Sequence, residues 1–317
     1  MPLCAPIEHT TMQLDDRHDR PCPICQRVPA GADVFLQERI DTSKLNEFSF
    51  SSRKEPEHLC YQMIRCPACD LVYVDRPPSQ DALADAYHAA DYDSHEEAND
   101  AAGSYMRAFE SALSRIHRGA ALEIGTGTGV FLEELSRRGF SSVTGVEPST
   151  AAIAAAPPHR KAWIKEGIFV ADDFQPASFD LICCFMTLEH VRDPLEIAQS
   201  AFRLLRPGGA FLTVTHDYRS VVNRVLGRRS PIVDIEHMQL FSRRSVSTLL
   251  ERSGYVGIEA RPFSNRYSMR YWNRLMPFPS GIKKSFQAVL SAAGLAQAKL
   301  SLNVGNTAAV GFKPDRP

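Results

Sequence analysis

The sequence predicts an α/β protein, a parallel sheet with helices on both faces, preceded by a small metal-binding module. Three observations carry that reading. From Ala120 onward, short apolar runs alternate with stretches of helical periodicity. Two Cys-Pro-x-Cys turns, at Cys22/Cys25 and Cys66/Cys69, stand about 40 residues apart near the N-terminus. Finally, 317 residues exceed the common domain of about 100–200, which suits one large domain and a small appendage.

Taken in order, residues 1–20 read as a flexible tail. Residues 21–78 form the metal module, with a polar insert from Asp41 to Glu57 and an apolar strand, Leu71 to Val74, after the second turn. The two-residue gap of each Cys pair lets both thiolates face one ion, and two such turns complete a tetrahedral Cys4 zinc site on Cys22, Cys25, Cys66 and Cys69. Four thiolates leave no open position for a catalytic water, so this zinc is structural. His58 and Cys60 lie near enough to be substitute ligands but read better as bystanders. Residues 79–119 are helical, with Leu83, Tyr87, Tyr105, Phe109, Leu113 and Ile116 at apolar spacings of three or four. In the main domain, residues 120–317, strands are expected at Ala121–Ile124, Ser142–Val146, Trp163–Lys165, Phe179–Cys184, Ala210–Thr215, Tyr255–Arg261 and Thr307–Lys313. An insert at about 217–241 interrupts the alternation. Cys183 and Cys184, inside an apolar run, are small buried hydrophobes, and Cys4 falls in the tail.

Composition narrows the function. Hydrophobic residues make up 44% and charged residues 23%, which excludes wholesale disorder. The longest apolar run, Leu181 to Leu188, is far below the roughly 20 residues of a spanning helix. The first residues show neither a basic leader nor an apolar h-region, which predicts a cytoplasmic address. Net charge of −1 argues against a nucleic-acid grip along the chain. Charge is nonetheless segregated: Asp75 to Glu110 is acidic, and Arg203 to Lys284 is rich in arginine. Two solvated surfaces explain this blandly; an anion-binding face is the sharper alternative.

The chemistry is carried by Leu122-Glu123-Ile124-Gly125-Thr126-Gly127-Thr128-Gly129, which ends one strand and opens a helix. Glycines at alternate positions let backbone amides approach a ligand closely. Glu147, at the end of the next strand, can take both hydroxyls of a ribose. A dinucleotide fingerprint would place its third glycine at position 130, which is Val130. The pattern G-x-G-x-G with Glu123 two residues ahead instead resembles the first motif of class I S-adenosylmethionine-dependent methyltransferases. Phe179-Asp180-Leu181-Ile182, Leu188-Glu189-His190-Val191, Leu205-Arg206-Pro207-Gly208-Gly209 and Glu236-His237-Met238-Gln239-Leu240-Phe241 extend that resemblance across roughly residues 21–313, and with the cysteine pairs it points to the subfamily bearing an N-terminal zinc ribbon.

The resemblance implies a Rossmann-like sheet, S-adenosylmethionine as cofactor and methyl transfer to a small molecule, chiefly O-methylation of a metabolite, sugar or secondary-metabolite intermediate. It implies cofactor contacts from Glu123, Gly125, Thr126, Gly127, Gly129, Glu147, Gly167, Ile168 and Phe185. Glu123 would lie near the methionine ammonium. In the quinone-precursor O-methyltransferases that the loop also resembles, a further Glu two residues before the Leu-Glu-His acid helps bind magnesium; here that place is Thr187.

A hydroxyl acceptor must lose a proton, and His237, His190 and His216 fall where open α/β sheets bind ligands, at or after C-terminal strand ends. His237 is the first candidate for base or orienter, His190 divides between base and scaffold, and His216 comes third. Tyr92 breaks the apolar stripe and reads as a lid residue over the cofactor, whereas Tyr87 continues the stripe and reads as core. The arginines from Arg219 to Arg274, Arg228 and Arg229 among them, are expected to cap the acceptor site and favour an anionic acceptor. A zinc-ribbon nucleic-acid binder with a degenerate nucleotide fold is the rival reading, weakened by the scattered Arg20, Arg27 and Arg39.

Overall fold

The computed structural model of the chain describes residues 20–29, 32–41, 43, 49–50, 57–90, 95–276 and 278–315. Among these, the strands are β1 (Asp33–Leu36), β2 (Met63–Arg65), β3 (Val72–Val74), β4 (Ala120–Ile124), β5 (Ser142–Glu147), β6 (Ile164–Glu166), β7 (Phe179–Phe185), β8 (Leu205–His216), β9 (Gln239–Leu240), β10 (Val256–Ser268) and β11 (Lys299–Phe312). The large sheet runs β10-β11-β8-β7-β4-β5-β6. Its strands from β4 to β8 pair in parallel, as the alternating pattern predicts. Along β7, Leu181, Cys183 and Phe185 pack into one apolar cluster while Ile182 and Cys184 pack into the other, so the sheet is covered on both faces.

The sheet is mixed, however, and not wholly parallel. β11 lies antiparallel to both β8 and β10. Ser268 at the end of β10 faces Lys299 at the start of β11, so the chain turns back at the same end of the sheet and needs no crossover. Both strands also run well past the limits expected from sequence and overhang the C-terminal end of the sheet.

Serine caps set where several helices begin. Ser79, Ser149, Ser220 and Ser268 each accept a hydrogen bond from the backbone N–H three residues on, and Ser242 does so within a reciprocal box with Ser245.

The second sheet is antiparallel, in the order β1-β2-β3-β9. Its last strand comes from the insert after β8, which therefore completes the cysteine module. Tyr218, Ile232, Val233, Ile235 and Met238 of the insert share one apolar cluster with Tyr61, Met63, Val72 and Val74. Polar bonds reinforce the joint. Asp70, just past the second cysteine pair, accepts from Tyr218 Oη (2.8 Å), Ser242 Oγ (2.8 Å) and the Nε and Nη2 of the Arg219 guanidinium (2.5 Å each). Arg20, expected in the tail, is buried; its guanidinium reaches Val74 O (2.9 Å), Arg192 O and Met238 O (3.3 Å). One planar fork thus ties β3, the loop after β7 and the insert together.

The four module cysteines converge. Cys22 Sγ and Cys69 Sγ lie 3.4 Å apart, as do Cys25 Sγ and Cys66 Sγ, and all four sulfurs fall within 4.8 Å of one another. A tetrahedron with Zn–S bonds of about 2.3 Å separates its sulfurs by about 3.8 Å, so this set fits the ion. His58 and Cys60 stand outside the group. No helix among the described residues is long and apolar enough to cross a membrane.

Candidate active site

The turn after β4 is shaped by three glycines with left-handed backbone, Gly125, Gly127 and Gly129. At Gly125 (φ 75°) an added Cβ would sit 2.3 Å from Thr187 Oγ1, so the position tolerates no side chain. At Gly127 (φ 57°) an added Cβ would meet nothing within 4 Å, which marks open space on the cavity side. Gly125 N and Thr126 N both donate to Val146 O, and Thr126 Oγ1 donates to Glu123 Oε2 (2.5 Å), so β5 and Glu123 hold the turn open. Glu147 accepts from Gly127 N (2.6 Å) and Ser149 N (2.9 Å); burial pushes its carboxyl above the usual carboxylate range while these two bonds pull it back.

One cavity of about 1130 Å³ extends from this turn across the C-terminal end of the sheet. Glu123, Gly125, Thr126, Gly127, Glu147, Gly167, Ile168 and Phe185 all line it. Gly129 does not. It precedes the helix Val130–Arg137 with φ 71° and faces Arg160, so its service is to the backbone turn. Tyr92 lies outside the described residues.

His190, His216 and His237 line the other end of the same cavity. The His237 ring sits between the others, 4.8 Å from the His190 ring and 5.7 Å from the His216 ring. Tyr87, expected in the core, also lines the cavity: its hydroxyl stands 3.0 Å from His190 Nδ1 and donates to Glu236 O (3.0 Å). Since Nδ1 also lies 3.2 Å from that carbonyl, which only accepts, the network assigns the His190 proton to Nδ1 and leaves an Nε2 lone pair. The same logic at His216, whose Nδ1 is 2.9 Å from Asn306 Oδ1, leaves its Nε2 as an acceptor; burial lowers its pKa to about 4 and keeps it neutral. Donor atoms of His190, Glu236 and His237 lie within 4.8 Å of one another, a set that could also hold a divalent cation.

Glu189 sits beneath this end, fully buried. Its Oε1 accepts from His216 N (2.7 Å), its carbonyl accepts from Met238 N (2.7 Å), and its Oε2 has no hydrogen-bond partner among the described residues. Burial raises its pKa to about 8. An unfolded Glu titrates near 4.3, so between those values the folded chain keeps a proton that the unfolded chain has released. Each rise in pH across that window favours unfolding. Glu189→Gln, which can still accept from His216 N, is expected to flatten the decline of Tm between about pH 5 and pH 8. Thermal melts of both proteins across that range check it; identical pH slopes would show that Glu189 ionises freely.

The arginine cap is corrected by the structure. Arg219 is committed to Asp70, Arg244 Nη2 donates to Ala68 O (2.7 Å), and Arg261 bonds Ala108 O. Arg228 and Arg229 are exposed and do not line the cavity. Arg219 and Arg244 serve the joint with the cysteine module, Arg261 reaches a backbone carbonyl within the acidic segment Asp75–Glu110, and Arg228 and Arg229 meet solvent, so none of these five lines the cavity.

Comparisons with known proteins show the family. The family described as "Methyltransferase domain" matches residues 79–260. A Vibrio cholerae protein named "Ubiquinone biosynthesis O-methyltransferase" is 25% identical over 166 residues, covering 47% of this chain and 67% of that protein. Its Pseudomonas aeruginosa namesake is 32% identical over 117 residues, covering 33% of this chain and 49% of the relative. Among solved structures, a Thermotoga maritima protein described as a SAM-dependent methyltransferase, possible histamine N-methyltransferase, is 20% identical with a TM-score of 0.46, covering 68% of this chain and 90% of that one.

Proposed function

Because this chain belongs to the methyltransferase-domain family and is an S-adenosylmethionine-dependent methyltransferase, we propose that it transfers the methyl group to a hydroxyl of a small molecule, in the O-methylation of a metabolite, sugar or secondary-metabolite intermediate. The single observation that carries this reading is the continuity of one cavity from the glycine turn and Glu147 to the three histidines. Two curated relatives named as O-methyltransferases support a hydroxyl as acceptor.

The residues present fit the cofactor. Open space beside Gly127 and the two oxygens of Glu147 suit a ribose, and Glu123 suits the methionine ammonium. Bound S-adenosylmethionine would supply a methyl group on a sulfonium, open to in-line displacement. The histidine end would align the acceptor oxygen and receive its proton, with His237 or the Nε2 of His190 as base. Tyr87, a phenol that burial keeps protonated, would hold His190 in the tautomer that this needs. His216, neutral throughout the physiological range, would orient through its own Nε2.

The same proposal assigns structural zinc to Cys22, Cys25, Cys66 and Cys69. It divides the chain into a zinc module (21–78, with Arg20 packed against it), helical lid (79–119) and cofactor domain (120–317), with the insert at about 217–241 bridging the last to the zinc module.

Incubation with methyl-labelled S-adenosylmethionine and a panel of hydroxylated metabolites tests the reading. Wild-type protein is expected to label a hydroxyl, and His237→Ala to lower kcat by about 10²–10⁴-fold while leaving cofactor affinity unchanged. Label arriving only on nitrogen or carbon, or an unaltered kcat in the variant, would overturn the assignment of hydroxyl chemistry to this end of the cavity.

A further inference from the structure

We infer that helix Ser280–Ala292 docks the protein on an anionic lipid surface, with Ile282, Phe286 and Val289 entering the apolar boundary of the bilayer and Lys284 meeting its phosphates. The face lies outside the cavity, and the inference does not rest on the identity of the acceptor.

The helix belongs to an arm, residues 269–298, that leaves the sheet between the paired ends of β10 and β11. It packs chiefly against helix Met269–Leu275. Its amphipathicity is turned inside out. The stripe at Lys283, Gln287 and Leu290 faces the protein: Lys283 Nζ donates to Arg274 O (2.7 Å), Asn273 Nδ2 donates to Lys283 O (2.9 Å), and Leu290 is buried. The neighbouring stripe at Ile282, Phe286 and Val289, spaced by four and then three residues, is 55%, 46% and 64% exposed. A helix that serves only its own core turns such a stripe inward. Met276, Phe278 and Leu295 are exposed as well, so apolar exposure runs past both ends of the helix. Exposed apolar surface of this kind marks a face that meets a partner.

Three observations name a lipid surface as that partner. The stripe runs along a helix of 13 residues, about 20 Å, the form that lies in the plane of a bilayer interface. Lysine borders it: Lys284 is exposed two residues after Ile282, and lysine is favoured beside a membrane-embedded stripe but depleted in protein–protein interfaces. Finally, the sequence between Glu259 and Asp315 holds no Asp or Glu, while the arm supplies Arg270, Arg274, Lys283 and Lys284. The charge of the arm's own sequence is thus of one sign, opposite to that of an anionic leaflet. Nucleic acid would answer that charge and leave the apolar stripe in water. A second copy of this chain would set the same lysine-bordered arm, without a carboxylate of its own, against itself.

The family match ends at residue 260, so the arm lies outside it. Leu275 and Met276, at the root of the arm, line the cavity, so docking would hold the cavity beside the lipid surface.

Co-sedimentation of the full chain with vesicles tests the docking. Vesicles of phosphatidylcholine and phosphatidylglycerol in equal parts are expected to carry the wild-type protein down, and vesicles of phosphatidylcholine alone to leave most of it in solution. Added salt should weaken the binding. Ile282→Ser with Phe286→Ser, both at exposed positions, is expected to lower the partition coefficient about 30-fold with Tm unchanged. Val289→Ser, the most exposed of the three, should show a smaller loss in the same direction if the pair fails to fold. Lys284→Gln should cost about five-fold on the mixed vesicles. Val28→Ser, at an exposed valine of the cysteine module, controls for general stickiness and should bind as the wild type does. Equal binding to both kinds of vesicle, binding to neither, or mixed-vesicle binding indifferent to the stripe substitutions would overturn the inference. So would a dimer in analytical ultracentrifugation that the serine pair dissolves and that forms in place of vesicle binding, since the stripe would then belong to a second copy.

Discussion

Glu147→Ala is expected to weaken S-adenosylmethionine binding by about 10–150-fold, since each lost charge-assisted hydrogen bond is worth about 1.5–3 kcal/mol. The side chain does two things at once. Its oxygens accept from Gly127 N and Ser149 N, which fixes the glycine turn against the end of β5, and they lie on the cavity side where ribose hydroxyls would donate. Glu147→Gln keeps the shape and one acceptor oxygen but loses the charge, so its affinity should fall between the other two. Calorimetric titration of the three proteins resolves the series. Equal affinities would place the cofactor away from β5.

The second large effect concerns the cysteine module. Removing one sulfur, as in Cys66→Ala, is expected to abolish zinc binding and to drive much of the protein into the insoluble fraction, because a three-coordinate structural site loses most of its affinity and that affinity is folding free energy. The damage should not stay local. Cys22, Ile24, Cys66, Cys69 and Leu71 share an apolar cluster with Leu122, Ile182 and Phe211 of the central sheet, so a loosened module uncovers one face of that sheet. Asp70 would release Arg219 and the insert that carries Glu236 and His237. Elemental analysis should find one zinc per wild-type chain, and chelation should lower Tm. Protein prepared without chelator that is folded, cooperative in melting and free of zinc would refute this role.

Much of this was legible in the sequence because the signals are local. Strands β4 and β7 and the middle of β8 are apolar runs between turn signals, the two cysteine pairs announce their own geometry, and Gly125, Gly127 and Glu147 sit at fixed offsets from strand ends. The three histidines were found from the same offsets, and the fold brings their rings together.

What escaped is non-local. Tyr87 follows Leu83 by four residues, a spacing that a core residue and a cavity residue share, and only the approach of His190 from 103 residues away separates them. The arginines of the insert looked like a charge pattern seeking an anion. Their principal buried partner is Asp70, 149 residues earlier in the chain, and periodicity carries no trace of that pairing. Arg20 was counted with the tail because a single buried arginine bonded to backbone carbonyls has no sequence signature.

The central claim is that one cavity holds the cofactor at the glycine turn with its reactive end toward the histidines. A crystal structure with S-adenosylhomocysteine measures this directly. The account predicts both ribose hydroxyls within hydrogen-bond distance of the Glu147 carboxylate and the thioether sulfur facing His190 and His237. A ligand bound elsewhere, or one whose sulfur turns away from those rings, would contradict it.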